Sequence, residues 1–124
     1  MRDDIIARVV ASLNAGNTPG AIEALRDALG EEPENSLAHA LLASALMKQR
    51  RIHAARHEAE LAVSLDPTSD FAFRMRGYVA LSSADLGRAQ LAFAKAVEIA
   101  DRVYAAAGGP AWEKAKQVRW RQVI

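Results

Sequence analysis

The sequence predicts an all-α chain: a solenoid of three helix-turn-helix repeats followed by a C-terminal helix. Three observations point to it. Alanine returns at 34-residue intervals, at Ala21, Ala55 and Ala89 and again at Ala28, Ala62 and Ala96. Within each interval, apolar residues recur every three or four positions in two runs separated by a turn, the period of a helix rather than of a strand. The seven glycines and four prolines fall mostly at the junctions between runs. A fixed period of this length, without insertion or deletion, marks units that bury their apolar faces by stacking on one another.

The blocks run over residues 2–35, 36–69 and 70–103 of a single domain spanning residues 1–124. Helices are expected at 2–14, 18–31, 36–48, 52–65, 70–82 and 85–107. The first follows the apolar series Ile5, Val9 and Leu13. Asn17-Thr18-Pro19 opens the second, since proline is tolerated in a first turn. Asn35-Ser36 and Asp70 offer side-chain oxygens to cap the third and fifth. In the middle block His39, Leu42, Ala43 and Leu46 precede a basic turn, Lys48-Gln49-Arg50-Arg51, and Ala55, Ala59, Ala62 and Val63 follow it. Pro33 and Pro67 end the second and fourth helices, but Asp101 stands at the equivalent place in the third block. The alanine-rich sixth helix should therefore run on to Gly108-Gly109. Pro110 would then open a seventh helix, over 110–123, with Trp112, Ala115, Val118, Trp120 and Val123 on its apolar side.

Stacked in register, one position is small in two blocks, Ala43 and Gly77, with Val9 in the first, which lets two helices approach closely, and larger residues stand at Leu25 and Phe93. The set Phe73, Gly77, Ala89, Phe93 and Ala96 in the third block, with Leu42, Ala43, Ala55, Ala62 and Pro67 in the second and Gly16, Ala21, Leu25, Ala28 and Pro33 in the first, resembles the tetratricopeptide repeat (TPR) family. The resemblance covers residues 2–103. The chain departs from the family pattern at Arg8 and Arg76, where leucine is expected, and at Arg50 and Ala84, where a turn glycine is usual.

The resemblance implies a right-handed superhelical solenoid with a C-terminal capping helix. It also implies a concave surface lined by the first helix of each hairpin, where family ligands bind. The outward positions there are Asp3, Ile6, Val10, Leu13 and Asn14 in the first block, Leu37, Ala40, Ser44, Met47 and Lys48 in the second, and Phe71, Arg74, Tyr78, Leu81 and Ser82 in the third. A large apolar patch on a finished surface calls for a cover. The expected partner-binding groove is Ile6, Val10, Leu13, Leu37, Met47, Lys48, Phe71, Arg74, Tyr78 and Leu81, taking a peptide or an amphipathic helix of a partner protein. Lys48 and Arg74 would meet acidic groups on it. A known mode of the family grips a ligand's terminal carboxylate with Lys and Asn; those positions here hold Ile6 and Val10, Ala40 and Ser44, and Arg74 and Tyr78, so that clamp is absent.

No catalytic pattern appears, and the chain reads as a non-enzyme without cofactor or metal. The G-x-S-x-G motif and a glycine-rich phosphate loop are both missing. His53 and His57 are spaced to share a helix face, but no third ligand accompanies them, so they read as a solvated face. His39 reads as a packed histidine. There is no cysteine, hence no disulfide. Nor is there an apolar run of membrane-spanning length or a signal-peptide core, so the cytoplasm is the expected compartment.

Charge is uneven despite a net of +1: residues 2–35 carry 3 basic and 7 acidic side chains, and residues 104–124 carry 4 and 1. Lys114, Lys116, Arg119 and Arg121 beside the tryptophans form too small a footprint to predict nucleic-acid or membrane binding. The alternatives to a partner-binding module are self-association, as a homo-oligomer through the groove or the Trp-bearing helix, and membership of a longer TPR scaffold.

Overall fold

A computed structural model describes residues 3–123, with side chains for residues 3–108, and places six α-helices among them. These are α1 (Asp3–Asn14), α2 (Thr18–Glu31), α3 (Ser36–Lys48), α4 (Ile52–Leu65), α5 (Asp70–Ser82) and α6 (Leu86–Val123). The first five match the expected spans almost residue for residue. They pair as three hairpins, α1–α2, α3–α4 and α5–α6, and the hairpins stack through α2 on α3, α4 on α5 and α3 on α5.

Local chemistry sets the helix ends. The side-chain oxygen of Asn17 accepts from the Gly20 N–H at 3.1 Å, and that of Asn35 from the Ala38 N–H at 3.0 Å. At α5 the cap is Ser69, whose Oγ accepts from the Ala72 N–H at 3.1 Å. The expected cap, Asp70, sits one position later as the first helical residue, where its charge still favours the helix N-terminus.

Each hairpin turn is built the same way. Gly16, Arg50 and Ala84, spaced 34 residues apart, hold positive φ of 79°, 59° and 58°. The residue after each donates its N–H back across the helix end: Asn17 to Ser12 at 2.8 Å, Arg51 to Leu46 at 3.0 Å and Asp85 to Ala80 at 2.9 Å. This is a left-handed helix stop repeated three times. Only the first copy uses glycine, so Arg50 and Ala84 are strained by their Cβ atoms. Replacing either with glycine should raise the unfolding free energy by about 0.5–1 kcal/mol, because relief of strain outweighs the added freedom of the unfolded chain. Urea denaturation measures it; a loss of stability would contradict the strain.

The core is rich in alanine, with Val9, Leu25 and Leu46 the largest fully buried side chains. Alanine lets helix backbones approach, and Gly77 takes this furthest. A Cβ at Gly77 would lie 2.8 Å from the Phe93 ring, which also receives Tyr78 edge-on at 5.1 Å. Gly77→Ala should therefore cost about 1 kcal/mol net, overpacking exceeding the gain in helix propensity. Adding Phe93→Leu should recover the loss in thermal melts.

One expectation fails at the C-terminus. The end at Gly108-Gly109 and the separate helix opened by Pro110 do not form, because α6 continues through them as one 38-residue element. Residues 102–108 are exposed, so no packed neighbour redirects the chain there and helical propagation carries on. The apolar side expected from Trp112, Ala115, Val118, Trp120 and Val123, and the basic residues Lys114, Lys116, Arg119 and Arg121, lie outside the described side chains.

Candidate functional site

All ten residues expected to line the groove stand half-buried or exposed. Ile6, Val10 and Leu13 lie on α1; Leu37, Met47 and Lys48 on α3; Phe71, Arg74, Tyr78 and Leu81 on α5. Because α3 packs directly against α5, their two sets lie on adjacent helices. Leu13, Met47 and Phe71 also rest against the core, which fixes their positions. Val10, Leu37, Tyr78 and Leu81 remain exposed by 40% or more, unusual for large apolar groups recurring in every block. Arg74 lies over the Phe71 ring at 5.2 Å and 3.6 Å from Asp70, a surface pair that leaves its guanidinium accessible.

Ala40 departs from expectation. It is buried rather than outward, because α3 is the middle first helix, and Ala38 to Leu46 are enclosed apart from Ser44. The apolar face of α3 is thus narrower than those of α1 and α5.

A second feature lies on the other side of α5. Each residue turns about 100° around a helix, so Phe73, Arg76, Val79 and Ala80 face away from Phe71, Arg74, Tyr78 and Leu81. They floor a cleft of about 600 Å³ between α4 and α6. Arg56 and Glu60 from α4, Asp85 at the start of α6 and Arg88 within it form its rim. The Arg76 guanidinium holds the Glu60 carboxylate in a fork, at 3.0 Å (Nε–Oε1) and 2.5 Å (Nη2–Oε2). That pairing holds Glu60 below the usual carboxylate range, with Arg88 and Arg56 adding to it, and raises Arg76. The stabilisation from Glu60 is thus present at neutral pH and fades as pH falls through its lowered folded-state value. Arg88 lies 3.4 Å from Asp85, and Arg56 donates to the Ser83 hydroxyl at 2.7 Å.

The sequence reading did not identify this cleft. Its one visible signal was Arg76, a charged residue where the repeat pattern calls for leucine. His53 and His57 are exposed, and among the described residues no cluster of three His, Asp or Glu is arranged to hold a metal ion. Among the same residues, no helix is long and apolar enough to cross a membrane.

Comparison with known proteins follows the geometry. A sequence model of the tetratricopeptide repeat matches residues 12–74. No curated protein matches the chain. Among solved structures, the crystal structure of the Sgt2 TPR domain from Aspergillus fumigatus is similar with a TM-score of 0.75 at 23% identity, covering 98% of this chain and 78% of that one. The first TPR of Spaghetti (RPAP3) bound to the HSP90 peptide SRMEEVD is similar with a TM-score of 0.73 at 17% identity, covering 97% and 94%. At these identities the likeness is one of fold.

Proposed function

This chain belongs to the tetratricopeptide repeat family, and we propose that it is a protein-interaction module whose first helices bind an apolar segment of a partner protein. The observation that carries the reading is the recurrence of exposed Val10, Leu37, Tyr78 and Leu81 on α1, α3 and α5, backed by Leu13, Met47 and Phe71 against the core. Rigidly supported apolar and aromatic groups are the anchors through which an interface gains affinity. Lys48 and Arg74 orient the segment by meeting its acidic groups.

The neighbour bound to the HSP90 peptide SRMEEVD supports a peptide ligand. The residues here that correspond to a carboxylate clamp are Ile6, Val10, Ala40, Ser44, Arg74 and Tyr78, mostly apolar, so the segment is held by its apolar side chains. A helix with apolar residues three and four apart, or an extended peptide with alternating ones, fits.

The test is affinity capture with the intact chain, repeated with Tyr78→Ala and Leu13→Glu. Each should weaken the captured interaction by about tenfold or more, with helical circular dichroism unchanged. Binding that survives both substitutions overturns the groove.

A second reading, self-association, is favoured by the outer face of α6. Val97 is 59% exposed, whereas its equivalent one repeat earlier, Val63, is 9% exposed beneath the next hairpin. Light scattering across a concentration series decides it, since a constant monomer mass excludes this reading.

A further inference from the structure

The two equivalent spaces between successive second helices are built from opposite materials. Between α2 and α4, Ile22, Leu25, Leu42 and Leu46 are all buried. One repeat on, between α4 and α6, the same four positions are Arg56, Ala59, Arg76 and Ala80, and Ala54 is matched by Arg88. Two leucines have become alanines, and three apolar positions have become arginines. The result is the cleft of about 600 Å³ described above, within the size range of small-ligand sites. Its floor is apolar, with Phe73, Val79 and Ala80, and its rim is basic.

The charges on that rim are not equally engaged. Arg76 and Glu60 satisfy each other in a two-point fork, so that pair forms a neutral wall. The Arg88 guanidinium meets one Asp85 oxygen at 3.4 Å while the other Asp85 oxygen accepts from the Arg88 backbone N–H at 3.2 Å, and Arg56 has a hydroxyl rather than a carboxylate as its hydrogen-bond partner. One positive charge on the rim is thus uncompensated, and two guanidiniums have donors to spare. An apolar floor beneath such a rim suits a ligand with one anionic group on an apolar body. A bare phosphate would leave the floor unused.

We infer that this cleft is a binding site for a carboxylate attached to an apolar group, with the carboxylate on Arg56 and Arg88 and the apolar body on Phe73, Val79 and Ala80. A small aliphatic acid and the C-terminal residue of a peptide share that chemistry. The site lies on the face of α5 opposite the proposed groove and stands independently of it.

The experiment is an amide chemical-shift titration of the full chain with N-acetyl-leucine, N-acetyl-leucinamide and inorganic phosphate. N-acetyl-leucine should shift the amides of Ala59, Val79, Ala80 and Ala92 saturably, with a dissociation constant on the order of 1 mM. The amide and phosphate should each bind about tenfold more weakly, or less still, since one lacks the charge and the other the apolar body. Arg56→Gln and Arg88→Gln, both on the rim, should each weaken N-acetyl-leucine severalfold. Ala80→Leu, which restores the residue found at Leu46, should fill the cleft and abolish binding. An acetylated tetrapeptide ending in leucine with a free carboxylate distinguishes the source: about tenfold tighter binding than N-acetyl-leucine marks a peptide terminus, and equal binding marks a small acid. The inference is overturned if the amide or phosphate matches the acid, or if neither glutamine variant weakens binding.

Discussion

Leu46→Ala is expected to lower the unfolding free energy by about 2–5 kcal/mol, while Ala80→Leu, the reverse change one repeat later, is expected to leave stability unchanged or raise it by about 1 kcal/mol. Leu46 is 2% exposed, in the filled space between α2 and α4, where Leu25 and Leu42 surround the same volume. Truncating it removes buried methyl groups and leaves a void that helices anchored at both ends cannot close. Ala80 looks into the open cleft between α4 and α6, so a leucine there gains burial without meeting a packed neighbour. Urea denaturation with both variants measures the asymmetry. Equal losses would mean that the two spaces are packed alike in solution.

Glu58→Ala should cost about 2 kcal/mol, and adding His39→Phe should restore most of it. His39 is buried, with Nδ1 2.5 Å from Glu58 Oε2 and Nε2 2.8 Å from the Pro33 carbonyl oxygen. A carbonyl only accepts, so Nε2 carries a hydrogen. The Glu58 carboxyl is the partner of Nδ1, so both ring nitrogens are engaged. Removing the carboxyl leaves a buried ring nitrogen without its hydrogen-bond partner, the costly way to break such a pair. The double variant turns the pair into Phe and Ala, the residues the third block already carries at Phe73 and Ala92. A double-mutant cycle in urea gives the coupling. Additive losses would show that the pair contributes nothing beyond its separate residues.

The reading from sequence worked best where structure depends on neighbours along the chain. Asn17, Asn35, Pro33 and Pro67 act within one turn of where they stand, and five helix spans followed from them and from apolar spacing. Arg50 and Ala84 looked like departures from the pattern, yet both adopt the backbone of Gly16. The hydrogen bonds around each turn, repeated at 34-residue spacing, impose that conformation whatever the side chain. At α6 the local signals misled. Gly108-Gly109 and Pro110 lower helix propensity, but a chain turns back only where something is packed to receive it, and residues 102–108 are exposed.

The sites divide in the same way. That the ten residues expected to line a groove stand half-buried or exposed was legible, because a residue's face on a helix follows from its number. Ala40 was misplaced because its burial depends on how α5 lies against α3. The cleft beneath Arg56, Arg76 and Arg88 went unseen because a void has no sequence of its own: it is the volume left when three helices, each with a small or charged residue at one place, meet. By itself, then, the sequence determined the first five helices, the turns and the repeat register, all set by interactions within a few residues or by periodicity. Only the tertiary structure decided which of two equivalent spaces is filled and which is hollow, because that is a sum of side-chain volumes across elements distant in the chain.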